Sequence, residues 1–260
     1  MFKRFLFFPV FFFLCAMFLG AGSAAWASQP AIELEGLYWM PSLSGHVQVF
    51  DSSAVATDID LKNDLMMGNK DFPEVRLIWH TGEDSWLRLS YIHLSYSGDN
   101  PDLSTPIVFS GHTYDVNSHV TSSLKLDYAS LGWAWQFINI KNVLKFGTLL
   151  SAKGFWTSAS IDDLTAGVSE SKNMDFGLPT IGAALDIRPV RPVDVFGEFS
   201  WITAGKYGHL YDAEGGLKIT PFRYLSILGG YRIFDMTAKD NSDFASVRFE
   251  GPFAGASLRF

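Results

Sequence analysis

His93 and Ser95 are the two residues whose types and spacing best suit nucleophilic chemistry. A serine hydroxyl attacks well when an imidazole takes its proton, and the imidazole needs a carboxylate to orient it. Leu87, Leu89 and Tyr91 precede the pair at steps of two, so all five share one face of a strand. The next acids along the chain, Asp99 and Asp102, fall in a polar loop without a fixed geometry. Hydrogen bonding at a surface is therefore the expected role of the pair, with catalysis as the alternative. A second candidate is Asp58-Ile-Asp60 with Asp64, flanked by Asp51 and Asp71. Carboxylates at this density can hold Ca²⁺. Lys62 stands where a calcium loop would want its third acid, so a solvated acidic loop is expected and no metal. The chain has no glycine-rich phosphate loop, zinc-spaced His/Cys set or G-x-S-x-G elbow. We expect a protein without a cofactor, and not an enzyme.

The elements that must carry these residues are strands. Apolar residues recur at steps of two in stretches of about ten residues, a period that divides a strand into two faces. Leu144, Phe146, Thr148 and Leu150 oppose Lys145, Gly147 and Ser151. Val195, Phe199 and Trp201 oppose Glu198 and Ser200, and Tyr211, Ala213, Leu217 and Ile219 oppose Asp212, Glu214 and Lys218. Leu225, Ile227, Tyr231 and Ile233 oppose Ser226, Gly230 and Arg232. Within 119–137 the apolar set moves from even positions (Leu124, Leu126, Tyr128) to odd ones (Leu131, Trp133, Trp135, Phe137), which predicts a bulge near Ser130.

Short and long connections alternate. Turn residues mark Thr81–Asp84, Asn139–Asn142, Pro189–Pro192 and Thr220–Arg223. Longer polar segments lie near 51–71, 97–118, 160–174, 204–209 and 236–243. Tight turns at one end and long loops at the other suit a transmembrane barrel, apolar outward and polar inward. The fold expected is therefore all-β, a closed antiparallel transmembrane β-barrel of about ten strands, or eight if one hairpin lies outside the membrane. Trp79, Trp86, Trp133, Trp135 and Phe137 sit beside the short turns, as an aromatic belt would.

In such a barrel Arg76, Arg88, Lys145, Glu198, Asp212, Glu214, Lys218, Arg232 and Arg248 fall on the inward face. An interior of eight to ten strands is little wider than its own side chains. The charges either line a narrow ion-conducting pore or pair with one another and fill the lumen. The filled lumen is the preferred expectation, because unpaired buried charges are costly.

The start of the chain fits export. Lys3 and Arg4 precede an apolar run from Phe5 to Leu19, and Ala25-Trp26-Ala27 has the A-x-A form of a cleavage site. Residues 1–27 are thus read as a cleaved signal peptide for the Sec pathway and 28–260 as the barrel. Cleavage would remove the chain's one cysteine, Cys15, and with Lys3 and Arg4 lower the formal net charge from −7 to about −9. An acidic chain argues against a nucleic-acid partner, which would need clustered cations. Charged residues at 18% and aromatics at 15% suit strands that meet lipid in short stretches.

The chain's ending places Ala254, Ala256, Leu258 and Phe260 on one face of a last strand and Gly255, Ser257 and Arg259 on the other. It resembles the closing strand of bacterial outer-membrane barrels, which implies that Phe260, with Leu258, is an assembly signal. Phe72-Pro-Glu-Val-Arg76, Ser95-Tyr-Ser-Gly98, Gly132-Trp-Ala-Trp-Gln-Phe137, Gly205-Lys-Tyr-Gly208 and Gly229-Gly-Tyr-Arg-Ile-Phe234 extend the likeness over 31–260. The chain resembles the uncharacterised porin-like single-domain outer-membrane β-barrel proteins of Gram-negative bacteria, and more distantly the outer membrane protein A and W types. That resemblance implies an outer-membrane monomer with a structural or narrow channel role and no known solute. Its implied partners are outer-membrane lipid, lipopolysaccharide and, during biogenesis, the barrel-assembly machinery. The placement of His93 and Ser95 also resembles that of the lipid A deacylases, whose His-x-Ser pair faces lipid. An outer-leaflet lipid-modifying enzyme is accordingly the alternative, and a soluble periplasmic binding barrel a third reading.

Overall fold

The alternating segments fold as strands that pair with their neighbours along the chain, so each backbone ladder is satisfied between strands. The computed structural model describes residues 32–48, 57–240 and 243–260; the expected signal peptide and Asp51 lie outside them. In chain order the strands are β1 (Ile32–Trp39), β2 (Ser42–Gln48), β3 (Ile59–Asp60), β4 (Phe72–His80), β5 (Ser85–Asn100), β6 (Ile107–Phe109) and β7 (His112–Tyr114). They continue as β8 (Val120–Ile140), β9 (Leu144–Asp163), β10 (Val168–Val190), β11 (Val193–Thr203), β12 (Gly208–Phe222), β13 (Leu225–Asp240) and β14 (Asp243–Arg259). The antiparallel order β1-β4-β5-β8-β9-β10-β11-β12-β13-β14 closes on itself because β14 also pairs with β1. At that seam Leu34 lies opposite Leu258, and the Phe260 N–H donates to the Ile32 carbonyl at 2.8 Å.

β1 and β2 are two halves of one wall strand, since both lie along β14. The break between them is at Met40-Pro41, where proline has no N–H for a ladder bond. The wall therefore has ten strands.

One end of the barrel carries the connections 81–84, 141–143, 191–192 and 223–224, all short as expected. At the other end the strands overshoot, with β8, β9 and β10 running 21, 20 and 23 residues. Two segments read as loops, 160–174 and 236–243, are instead mostly paired strand. The ladder continues there because the inward side chains still have a core to pack against, although the outer face has turned polar.

That change of chemistry with height also explains why the expected bulge near Ser130 is absent. β8 keeps unbroken register with β5 from Val120 opposite Asn100 to Trp135 opposite Ser85. Leu124, Leu126 and Tyr128 point into an apolar upper interior and are buried, whereas Trp135 points out and is 52% exposed. The apolar face of β8 thus switches from inside to outside without any change of register. A register shift does occur, between Trp135 and Ile138 against β9.

The upper interior is a closely packed aromatic layer. Tyr96 stacks on Phe249 at 5.8 Å between ring centroids, and Phe155 stacks on Tyr128 at 5.1 Å and on Phe176 at 4.9 Å. Segment 57–71 folds down into this mouth, burying Leu61, Leu65 and Met67. The Leu61 N–H donates to the Gly45 carbonyl at 3.0 Å, and Asn100 Nδ2 donates to the Asp64 carbonyl at 2.8 Å. The β6–β7 hairpin adds Tyr114, fully buried, whose hydroxyl donates to the Ile161 carbonyl at 3.2 Å. Burial pushes that phenol up to about 12, so it stays a neutral donor.

Candidate functional site

Below the aromatic layer, inward positions of β4, β5, β9, β11, β12 and β13 supply four cations and four carboxylates: Arg76, Arg88, Lys153 and Arg232 against Glu74, Glu198, Asp212 and Glu214. Arg76 grips both oxygens of Glu214 at 2.7 and 2.6 Å and donates through Nε to Glu74 at 2.7 Å. Arg232 forks onto Asp212 with two bonds of 2.9 Å and reaches Glu74 with a third of 2.9 Å. Lys153 donates to Asp212 at 2.6 Å, and the Tyr128 hydroxyl adds a bond of 3.1 Å. Arg88 forks onto Glu198 and lies 3.6 Å from Glu214, so all eight charges form one connected, balanced network. Bidentate geometry and equal counts are what make such burial tolerable. The free space left among them is about 20 Å³, room for roughly one water.

Nearer the short turns, Glu33 accepts bonds from Lys218 and from Arg259 at 2.9 Å, and His80 Nε2 lies 3.3 Å away. Lys218 also reaches Glu35 at 3.1 Å. Lys145 pairs with Asp84 at the turn end at 2.9 Å and holds that carboxyl below the usual range.

Of the residues expected in the lumen, Arg76, Arg88, Glu198, Asp212, Glu214 and Arg232 meet in the main network, while Lys218 and Lys145 stand nearer the turns. Arg248 is a correction. It lies on the outer wall, 42% exposed, bonded to Glu250 at 2.6 Å and 3.3 Å from the Tyr211 hydroxyl. Even positions of β14 face outward, and at this height the outer wall is already polar, so the alternation rule was applied with the wrong phase. Trp86 is the converse case. It turns inward, packs on Ala134 and Leu149, and lies under the Arg88 guanidinium at 4.9 Å. Glu33, Glu35, Glu74 and Lys153 were missed, although each alternates with outward residues that the period-two pattern marks; Arg259, read on the face opposite Leu258, pairs with Glu33. Leu258 and Phe260 are both exposed on the outer wall at the seam.

His93 and Ser95 face outward on β5, as expected, but the carboxylate beside them is neither Asp99 nor Asp102. Asp99 bonds His119 Nε2 at 2.7 Å instead. Asp127, on β8, lies directly opposite His93 and places Oδ1 2.8 Å from its Nδ1. The same oxygen accepts the Tyr91 hydroxyl at 2.5 Å. Ser95 lies opposite Lys125. Two acids of the first loop serve backbone geometry: Asp60 accepts the Lys62 and Asn63 N–H groups at 2.8 and 3.0 Å, and Asp64 accepts the Asp60 N–H at 2.9 Å. Among the described residues no group of three or more His, Cys, Asp or Glu is arranged to hold a metal ion.

No protein-family model matches the chain, and no curated protein matches it by sequence. Solved structures do. The outer-membrane protease OmpT of Escherichia coli superposes with a TM-score of 0.59 at 9% identity, over 92% of this chain and 99% of that one. Ail, the attachment invasion locus protein of Yersinia pestis, gives 0.37 at 12% identity over 88% of this chain and 99% of its own. The toluene transporter TodX of Pseudomonas putida gives 0.39 at 9% identity, over 90% and 92%. At these identities the likeness is one of fold. The class it defines, with the closed ten-strand wall, is the outer-membrane β-barrel. Among the described residues the chain forms one such barrel, with ionic and aromatic layers in its interior.

Proposed function

We propose that the protein is a non-conducting barrel of the Gram-negative outer membrane, with a structural role and its short turns in the periplasm. The observation that carries this reading is the filled lumen: a balanced ionic layer with about 20 Å³ of free space, capped by an aromatic layer and by segment 57–71. The proposal includes export through the Sec pathway, assembly by the barrel-assembly machinery and life as a monomer among lipid and lipopolysaccharide. Purified protein in a planar bilayer is expected to give no stable channels. Regular conductance steps of porin size would overturn the reading.

Orientation has its own test. Cysteines placed at Asp102 or Ala166, on the long-hairpin end, should label in intact cells. Cysteines at Gly82 or Lys141 should label only after the outer membrane is permeabilised, and the reverse pattern would invert the topology.

A second reading, modification of outer-leaflet lipid by His93 and Ser95, is favoured by one observation, the Asp127 carboxylate held on His93 Nδ1.

A further inference from the structure

The upper half of β10 has a paired strand on one side only. Its register with β9 is unbroken from Val168 opposite Asp163 to Ile187 opposite Leu144. Its register with β11 begins only at Ile181, opposite Trp201. The β11–β12 hairpin turns back at Gly205–Tyr207, while β8, β9 and β10 rise above it as a tongue. Among the described residues, Val168 to Thr180 are therefore the bare edge of that tongue. At about 3.3 Å per residue the edge is roughly 40 Å long. Every second residue along it turns its N–H and C=O away from β9, where another strand can pair with them.

The other step in the wall is covered. β5 pairs with β4 no higher than Ile92, opposite Glu74. Above that point segment 57–71 takes the place of a neighbour: Lys70 donates to the Ser97 hydroxyl at 3.0 Å and Asn100 to the Asp64 carbonyl at 2.8 Å. The edge of β10 has no such cover among the described residues, and it stands in water. Ile181, 57% exposed, and Trp201, 43% exposed, mark the top of the apolar band on the outer wall. Above them the outward residues of β10 are Asp175, Asn173, Ser171 and Ser169. On the inner face Phe176 and Leu178 are only partly buried against the aromatic layer, as is Ile202 near the top of β11. Towards the tip the chemistry turns acidic, with Glu170 on β10 and Asp162 and Asp163 opposite Ser169 and Val168 on β9. Lys172 is the one cation between Val168 and Thr180.

We infer that the edge of β10 from Val168 to Leu178 is a docking site for an extended cationic polypeptide segment, which adds to the wall as a further strand. Main-chain hydrogen bonds hold any extended chain there, and the side chains choose which one. Apolar residues at steps of two lie over Phe176 and Leu178, and a lysine or arginine at the end nearer the tip meets Glu170 and Asp162. Acidic segments are repelled by the same carboxylates. Pro179, which has no N–H to offer, closes the lower end of the site. That the partner arrives from outside the cell rests on the topology proposed above; binding by the purified protein does not, and it is indifferent to whether the lumen conducts.

The test uses the full protein in detergent and a labelled synthetic peptide of alternating valine and threonine ending in two lysines. Binding is read by fluorescence anisotropy and its place by amide hydrogen exchange. Without peptide, every second amide of 168–178 should exchange at least about a hundredfold faster than the amides of β9, which is paired on both sides. Saturating peptide should slow those amides at least about tenfold and leave the β11–β12 hairpin unchanged. The same peptide methylated on every valine and threonine nitrogen, or ending in two glutamates, should bind at least about tenfold more weakly. Glu170→Gln with Asp162→Asn should remove most of the preference for lysine and leave binding of a peptide ending in two serines unchanged. Heat-modifiable migration verifies that the variant folds. No saturable binding, or binding that leaves 168–178 unprotected, would overturn the inference. So would slow exchange of all these amides in the peptide-free monomer, which would mean that the edge is already covered. Protection that rises with protein concentration alone would give the edge to a second copy of the chain instead. Equal binding of the lysine and glutamate peptides would overturn the charge assigned to the partner.

Discussion

Arg232→Ala is expected to lower the unfolding midpoint of the detergent-solubilised barrel far more than any change on its polar outer wall. The Arg232 side chain is 5% exposed and supplies two bonds to Asp212 and one to Glu74. It also lies over the rings of Trp39 at 5.0 Å and Tyr128 at 5.6 Å. Asp212 would keep Lys153, and Glu74 would keep Arg76, so no carboxylate is orphaned outright. The network would nevertheless hold four carboxylates against three cations, an uncompensated negative charge in a nearly dry interior. Removing one member of a buried pair costs about 3–5 kcal/mol. The comparison is Lys239→Ala, which removes an exposed ammonium over the Phe244 ring and should change stability by about 0.5 kcal/mol or less. Urea midpoints of folded protein in detergent decide between them. Equal midpoints, with Arg232→Ala altering ion selectivity in a bilayer, would mean that water already passes through the network.

The wall of this barrel was legible in its sequence because period-two alternation and turn residues are local signals. Leu225, Ile227, Tyr231 and Ile233 against Ser226 and Arg232 need no partner to be read. Misreadings arose where the meaning of the pattern depends on height. Leu124 to Phe137 looked like a bulge because an apolar side chain was assumed always to face lipid, whereas above the apolar band it faces a core. Arg248 was placed inside by the matching assumption that a charge in a strand faces the lumen. Asp127 was out of reach for a different reason. It lies 34 residues beyond His93, across the β6–β7 hairpin, and only the β5–β8 register places the two opposite each other. Register comes from closing the whole sheet, and no local motif encodes it. The partners inside the lumen are non-local in the same way: Arg76 and Glu214 are 138 residues apart.

Gly98→Leu is expected to expel segment 57–71 from the barrel mouth and still leave the barrel closed. Gly98 faces inward on β5, and a Cβ there would stand 1.8 Å from the Leu65 carbonyl oxygen and 2.7 Å from the Ser122 hydroxyl. The nearest obstacle is backbone, held in a turn that the Asp60 carboxylate ties together, so the segment must move as a unit. Moving it exposes Leu61, Leu65 and Met67, each worth roughly 1.5–3 kcal/mol of burial. That burial opposes opening, so the segment leaves only because a leucine side chain cannot share the space of a carbonyl 1.8 Å from its Cβ. Trypsin should then cut at Lys62 or Lys70 at least about tenfold faster in folded, heat-modifiable protein, because cleavage follows the open population. Unchanged protection would show that the segment is held from outside the barrel and not by its seat on Gly98. Conductance should stay absent in this variant, since the eight-charge layer lies below the segment and does not depend on it. Stable channels from Gly98→Leu alone would identify segment 57–71 as the barrier and reduce the ionic layer to a wetted lining.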